Sequence, residues 1–229
     1  MKPEVSCWQR PPLRLVLKDG ELHLWRFGLE SSKYELDSLK GLLAPEEMVR
    51  ADRLLDLQKK KQFIVTRTQL RKILGKYQKI EANQIKFQYN PHGKPALDES
   101  LHPTVEFNLS HSGHWGVLAV IAKFAIGIDL EKVDTEMLFS QLADRYFNAD
   151  EKLQLAQYPP ERQRRGFYRL WTQKEALLKL DGIGFQAKPS GESFFKMRNL
   201  YGSFVSVAPG FVCSVATEGK IESIQKFHY

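Results

Sequence analysis

Cysteine is almost missing from this 229-residue sequence: only Cys7 and Cys213 occur, far apart. Two such residues cannot build a disulfide framework, and they lack the close spacing of a metal-binding cysteine pair. Cys213 falls in a β-patterned apolar segment and Cys7 near the amino terminus, so both read as ordinary residues. Long apolar runs are missing too. The longest, Trp115 to Ala122, falls well short of the roughly 20 residues that cross a bilayer. Leu13 to Leu17 is short and broken by Arg14, so no leader h-region is expected. No low-complexity linker divides the chain. These absences set the expectation of a soluble protein in a reducing, cytoplasmic setting, with no membrane partner.

Acidic side chains are in deficit. The 27 Asp and Glu residues face 34 Lys and Arg, leaving a formal net charge of +7. That excess favours an anionic partner without separating nucleic acid from a nucleotide or an acidic protein. Core-forming residues are plentiful at 42% hydrophobic and 11% aromatic. The chain is therefore not compositionally disordered, and its length allows one large domain or two smaller ones.

Two helical patterns stand out, from about Pro45 to Tyr77 and from about Ala149 to Leu180, with apolar residues at three- and four-residue intervals. Each opens on an acidic pair, Glu46-Glu47 and Asp150-Glu151, which suits the positive end of a helix dipole. The patterns superimpose without a gap at an offset of 104: Glu47 on Glu151, Phe63 on Phe167, Thr68 on Thr172, Gln69 on Gln173. Strand-patterned segments occur in both halves: Glu21 to Phe27, Val105 to Leu109, Trp115 to Ala122, Ala125 to Glu131, Phe211 to Thr217 and Ile221 to Phe227. The expected fold is α+β, two similar halves about a pseudo-twofold axis with the active site in the cleft between them. The halves are drawn at residues 1–104 and 105–229, the second carrying the metal site, and the chain is expected to act as a monomeric pseudo-dimer.

Three clusters can carry chemistry. In Gly127-Ile128-Asp129-Leu130-Glu131, residues two apart on a strand share a side, which places Asp129 and Glu131 together. Neighbouring carboxylates repel, and one takes a proton unless a cation stands between them. A hard cation such as Mg²⁺ suits them, with oxygen ligands at about 2.0–2.1 Å. The same pair also fits a strand end reaching solvent.

In the second cluster, Phe167, Trp171, Glu175 and Lys179 form one helical stripe at four-residue steps. The stripe passes from aromatic to carboxylate to ammonium. Leu170, Leu177 and Leu178 supply packing beside it, so Glu175 is expected at the edge of a cleft. A solvated Glu175–Lys179 ion pair is the alternative. The third cluster, Asn108-Leu109-Ser110-His111-Ser112, lies at a strand-to-turn junction. It offers hydroxyls and an imidazole to a phosphate, or merely caps a hairpin. No G-x-S-x-G accompanies it, which argues against a nucleophilic serine. Upstream, Gly93-Lys94-Pro95 presents a cation after a glycine turn. Carboxylates for a divalent metal beside cations for phosphates point to phosphoryl-group chemistry.

With these motifs in this order, the sequence resembles the 4'-phosphopantetheinyl transferases, specifically the monomeric two-halved type typified by the surfactin-synthetase activator. The resemblance covers roughly Pro45 to Gly184. It implies a Mg²⁺-dependent transferase, a holo-carrier-protein synthase. Such an enzyme moves the 4'-phosphopantetheine arm of coenzyme A to a serine of an apo acyl or peptidyl carrier protein and releases adenosine 3',5'-bisphosphate. Asp129, Glu131 and Glu175 fall on the family's magnesium ligands. Lys94, Pro95, Ser110 and His111 fall on positions lining the coenzyme A site, and Lys174 joins that set. Arg50 matches a cation facing the adenosine 3'-phosphate, Lys179 a lysine directed at the pyrophosphate, and Glu151 a glutamate acting as base on the serine hydroxyl. Two departures stand out: some relatives have lysine where Glu47 stands, and others replace Glu131 by an apolar residue. The first shifts nucleotide grip toward Arg50.

Two rival readings stay open. One is a magnesium nuclease, although its terminal Glu and Lys are usually two apart on a strand rather than four apart on a helix. The other is a nucleic-acid-binding module built on Lys59 to Lys61 and Arg162 to Arg165; charge runs more often mark solvated helix faces. No nucleic-acid partner is expected.

Overall fold

The computed structural model describes residues 4–30, 33–182 and 200–229. The last two residues of the stretch resembling the transferases, 183 and 184, lie outside them. In chain order the strands are β1 (Glu4–Gln9), β2 (Glu21–Gly28), β3 (Phe87–Tyr89), β4 (Pro95–Leu97), β5 (Glu106–Ser112), β6 (Trp115–Ile121), β7 (Ile126–Lys132), β8 (Tyr201–Phe204), β9 (Phe211–Thr217) and β10 (Ser223–His228). The helices are α1 (Lys33–Lys40), α2 (Pro45–Asp52), α3 (Leu57–Gln78), α4 (Phe139–Tyr146), α5 (Ala149–Ala156) and α6 (Pro160–Asp181). The fold is α+β. Among the described residues no helix is long and apolar enough to cross a membrane.

Strand alternation builds the layers. One sheet runs β1-β10-β2-β6-β5 and a second β7-β9-β8. On β2, Trp25 and Phe27 turn to one face and Leu22 and Leu24 to the other, as a two-residue period demands. The first pair packs with Ile64, Ile73 and Leu74 of α3, and with Phe107 and Leu118. The second pair packs with Ile126, Ile128 and Leu130 of β7 and Val215 of β9. The far face of the second sheet is covered by α6 through Ala176, Leu177 and Leu180 against Ala216. The stacking is therefore helix, sheet, sheet, helix. Gly127 permits the closest approach: a Cβ there would lie 1.9 Å from the Ala176 carbonyl oxygen.

Strand pairing crosses the 104/105 line drawn from the sequence. β5 and β6 follow it, yet β6 pairs with β2 residue for residue from Leu22–Ile121 to Gly28–Trp115.

Each long helical pattern is in fact two helices. The Pro45–Tyr77 pattern breaks at residues 53–56, where the Asp56 carboxylate accepts the N–H groups of Gln58 and Lys59 and opens α3. The Ala149–Leu180 pattern breaks at residues 157–159, and α6 starts at Pro160. Proline lacks the N–H that would continue the preceding helix and is preorganised for a first turn. Periodicity runs through both breaks, so it does not reveal them.

Candidate active site

β5 and β7 are the facing edges of the two sheets, and they join through side chains rather than a backbone ladder. Asn108 Oδ1 accepts the Ile128 N–H (2.9 Å), Ser110 Oγ that of Leu130 (3.2 Å) and Ser112 Oγ that of Lys132 (3.0 Å). Three outward positions of one edge strand thus satisfy three free donors of the other. Buried N–H groups left unpaired would be costly. The Asn108-to-Ser112 motif is therefore strand to its end, with the turn following at Gly113.

Asp129 and Glu131 point the other way from Ile128 and Leu130, toward α6. Asp129 is 3% exposed. Its Oδ1 accepts the Ser110 hydroxyl at 3.1 Å and the Lys179 ammonium at 2.6 Å. Lys179 Nζ also donates to Ser110 Oγ at 2.9 Å. The chain itself thus supplies a cation to Asp129, and Lys179 ion-pairs with that residue, not with Glu175 as a simple surface pair would. Glu131 accepts the Ser112 hydroxyl at 3.0 Å and a bond from the Trp171 side chain. Burial, then the Asp129 charge, raises the Glu131 pKa. Burial first and Asp129 second also push Glu175 up to about 7. Asp129 and Glu175 therefore share one electrostatic environment, on facing elements.

The donor set suits a hard divalent cation: three carboxylates, half to fully buried, with Asp129 Oδ2 buried and finding no hydrogen-bond partner among the described residues. An orphaned carboxylate oxygen in such a place is what an ion satisfies. Among the described residues, no three His, Cys, Asp or Glu side chains are drawn together at ligand distances; the Lys179 ammonium holds Asp129 instead.

The remaining sequence-derived residues divide among four places. His111, on β5 beside Ser110, lies near enough to feel Lys179 and Asp129; partial burial, then Lys179, lowers its pKa, although the residue keeps an exposed surface. Glu151 and Lys174 form a second pair at 2.8 Å, and Glu151 also accepts the Asn148 N–H at 2.8 Å as half of a capping box. Lys94 is drawn to the carboxyl-terminal end of α6: its ammonium donates to the carbonyls of Leu180 (3.0 Å) and Ile126 (3.2 Å). Asn90 Nδ2 bonds the Gly182 carbonyl at 2.7 Å, where Gly182 caps α6 at φ +67°. Pro95 follows on β4, beside this clasp. Arg50 is exposed on α2, its guanidinium 5.5 Å from the Phe63 ring centroid, away from the carboxylates.

Sequence reasoning did not single out the bonds of Asn108 and Ser112 to β7. The signal available was the two-residue spacing of Asn108, Ser110 and Ser112 matched to the spacing of Ile128, Leu130 and Lys132. Nor did it give Glu47 its place: the residue is 2% exposed and bound by Arg67 and Arg71.

A joint between two sheets, roofed by one helix and gathering carboxylates, an ammonium and a hydroxyl, is the framework of a group-transfer enzyme. Comparison with known proteins narrows this. Residues 125–210 match the model of the 4'-phosphopantetheinyl transferase superfamily, and residues 29–123 match that of the 4'-phosphopantetheinyl transferase N-terminal region. The chain is 38% identical over 178 residues to the 4'-phosphopantetheinyl transferase HetI of Nostoc sp., covering 77% of this chain and 75% of that one. It is 28% identical to the 4'-phosphopantetheinyl transferase Sfp of Bacillus subtilis over 67% of this chain and 66% of that one. It also matches the human L-aminoadipate-semialdehyde dehydrogenase-phosphopantetheinyl transferase at 29% identity, over 62% of this chain and 49% of that one. The chain belongs to the 4'-phosphopantetheinyl transferase family and is a transferase.

Proposed function

We propose that the chain transfers the 4'-phosphopantetheine arm of coenzyme A to a serine of an apo acyl or peptidyl carrier protein, with Mg²⁺, releasing adenosine 3',5'-bisphosphate. The observation that carries this reading is the meeting of Asp129, Ser110 and Lys179 beneath Glu175, at the joint of the two sheets. Asp129, Glu131 and Glu175 would hold the metal. Bound there, it supplies a concentrated positive charge to the coenzyme A diphosphate.

The chain's own residues do the rest. Lys179 reaches the joint on a flexible stem and has three donors; two are used on Asp129 and Ser110, and a diphosphate oxygen competes well for such a cation. It would meet the charge that develops on the leaving bisphosphate. Ser110 and His111 line the same strand and would bind the diphosphate. Arg50 would face the 3'-phosphate. Lys94 and Pro95 would shape the nucleotide end of the cleft, Lys94 through the clasp on α6.

Glu151 would take the proton of the attacking serine. The Lys174 ammonium at 2.8 Å and the capping bond from Asn148 fix its direction. Positioning and charge neutralisation are the main sources of rate in such a transfer. The net charge of +7 favours encounter with an acidic carrier and makes it salt-sensitive.

The test is mass spectrometry of a panel of apo carrier proteins incubated with coenzyme A and Mg²⁺. At least one carrier gains the mass of a phosphopantetheine group, and the gain disappears in EDTA. A panel left wholly unmodified counts against the reading, and tight, salt-steep binding to DNA or RNA would revive both the nuclease and the nucleic-acid-binding alternatives.

A further inference from the structure

We propose that Ser112 is a positioning residue that aims Glu131 at the metal, a role that rests on the metal reading of Glu131 given above. The argument starts from the hydroxyl itself. A serine oxygen has one proton to give and two lone pairs. On Ser112 the Lys132 N–H takes a lone pair at 3.0 Å, and the proton goes to Glu131 Oε2 at 3.0 Å. The backbone bond removes the hydroxyl's freedom to rotate elsewhere, so the bond it gives to Oε2 holds the Glu131 carboxylate in one direction. Ser110 repeats the arrangement one step along: it takes the Leu130 N–H and gives its proton to Asp129 Oδ1, leaving Oδ2 without a partner.

Asn108 is the built-in control. It makes the same backbone bond, to Ile128, but the residue beside that donor is Gly127, which has no carboxylate to orient. The three positions therefore share the work of joining β5 to β7, and only two of them also steer an acid. Trp171 likewise holds Glu131, but its ring packs among the aromatics of α4–α6, so Ser112 is the hold that can be altered cleanly. Groups that orient a metal ligand typically change metal affinity by about 10- to 100-fold when removed.

The experiment titrates Mn²⁺ into the full chain with coenzyme A present, followed by electron paramagnetic resonance, with thermal unfolding recorded for each variant. Ser112→Ala weakens Mn²⁺ binding by about 10-fold. Ser112→Thr, which keeps the hydroxyl, restores it. Asn108→Ala lowers the melting temperature but leaves the Mn²⁺ affinity near that of the wild type. Equal Mn²⁺ affinity in Ser112→Ala and the wild type overturns the proposal while leaving the metal reading intact. So does an Asn108→Ala defect as large as that of Ser112→Ala, or failure of Ser112→Ala to fold, since either assigns the hydroxyl to the joint alone. A wild-type chain that binds no Mn²⁺ sinks the metal reading and this inference together.

Discussion

The helix pair α2–α3 and the helix pair α5–α6 carry the same framework to different ends. α2 and α5 span residues exactly matched in length, Pro45–Asp52 and Ala149–Ala156, and each has a glutamate in its first turn that accepts a backbone N–H: Glu47 from Ala44 at 2.9 Å, Glu151 from Asn148 at 2.8 Å. What surrounds those glutamates differs. The Glu47 side chain is 2% exposed and clamped by Arg67 and Arg71, and Arg71 also spends donors on the carbonyls of Ala82 and Ile85. The Glu151 side chain is 22% exposed and meets one lysine. The long helices diverge in parallel. At the offset of 104, Arg67, Arg71 and Gly75 of α3 stand opposite Trp171, Glu175 and Lys179 of α6. One stripe turns two arginines onto a buried acid and is satisfied within its own half. The other turns an acid and a lysine toward the carboxylates of β7, where Asp129 Oδ2 is buried with no hydrogen-bond partner among the described residues. A charge cluster closed on itself holds structure; one left open can do chemistry.

The sharpest way to break this comparison is to remove Glu47. Glu47→Ala leaves two buried guanidiniums without their counter-charge, and we expect a loss of about 3–5 kcal/mol in chemical unfolding. Protein that remains folded should keep its Mn²⁺ affinity. A loss under about 1 kcal/mol would mean that the pair behaves as a surface ion pair and that the two halves do not differ as described.

Next in size is Glu175→Gln, which we expect to lower transfer by roughly 10²–10³-fold by removing a charge from the metal set. The same change should stabilise the metal-free chain. Burial and Asp129 raise the Glu175 pKa from 4.5 to about 7, so the folded state binds this proton more tightly than the unfolded one. The stability it contributes is full below about pH 4.5 and lost as pH rises through about 7. The side chain is partly in water, so the gain in the glutamine variant is discounted to the order of 1 kcal/mol. Melting temperatures of the two proteins in EDTA should separate between pH 4.5 and 7 and run parallel above. A variant less stable than the wild type at pH 8 would show that Glu175 is held by favourable contacts instead.

How much of this was legible in the sequence follows the range of the interactions. Both helix starts read correctly, because an acidic first turn is a local signal. Asp129 and Glu131 sharing a side read correctly, because strand alternation is local too. The stripe from Phe167 to Lys179 was visible, but its partner was not. Lys179 is as near in sequence to Glu175 as a helix allows, yet it bonds Asp129, fifty residues away. The β5–β7 joint was hidden for the same reason: three matched spacings become bonds only when two sheet edges meet, which no local pattern dictates. α1, α4 and β1 are short elements; α4 does place Phe139, Leu142 and Ala143 at helical spacing, but over only eight residues. Lys94 follows the same rule: its ammonium donates to the carbonyls of Ile126 and Leu180, 32 and 86 residues away, a pairing that no local pattern shows.

A smaller effect sharpens the role of α2. Arg50 is exposed, and its contact is the Phe63 ring, so Arg50→Ala should leave stability nearly unchanged. We expect a rise of about 10-fold in KM for coenzyme A, close to 1.4 kcal/mol of binding, with kcat retained. Dephospho-coenzyme A, which lacks the 3'-phosphate, should show no such rise. If both substrates weaken alike, Arg50 acts on the fold of α2 and not on that phosphate.

A modest stability effect is expected where the comparison began. Glu151→Gln keeps an oxygen for the Asn148 N–H but gives up the ion pair with Lys174, whose side chains are 12% and 22% exposed, a loss on the order of 1 kcal/mol for a single pair still reached by water. The unfolding midpoint should move by little, in contrast with Glu47→Ala at the matched position. Transfer should fall nonetheless, with kcat lowered, KM for coenzyme A unchanged, and Mn²⁺ affinity intact, because the glutamine cannot accept the serine proton. The combination matters more than any single value. A kcat that survives the substitution removes Glu151 from proton transfer and leaves it as the helix cap that Glu47 is. A stability loss as large as that of Glu47→Ala would make both glutamates struts, and the open cluster on α6 would then have to find its base elsewhere.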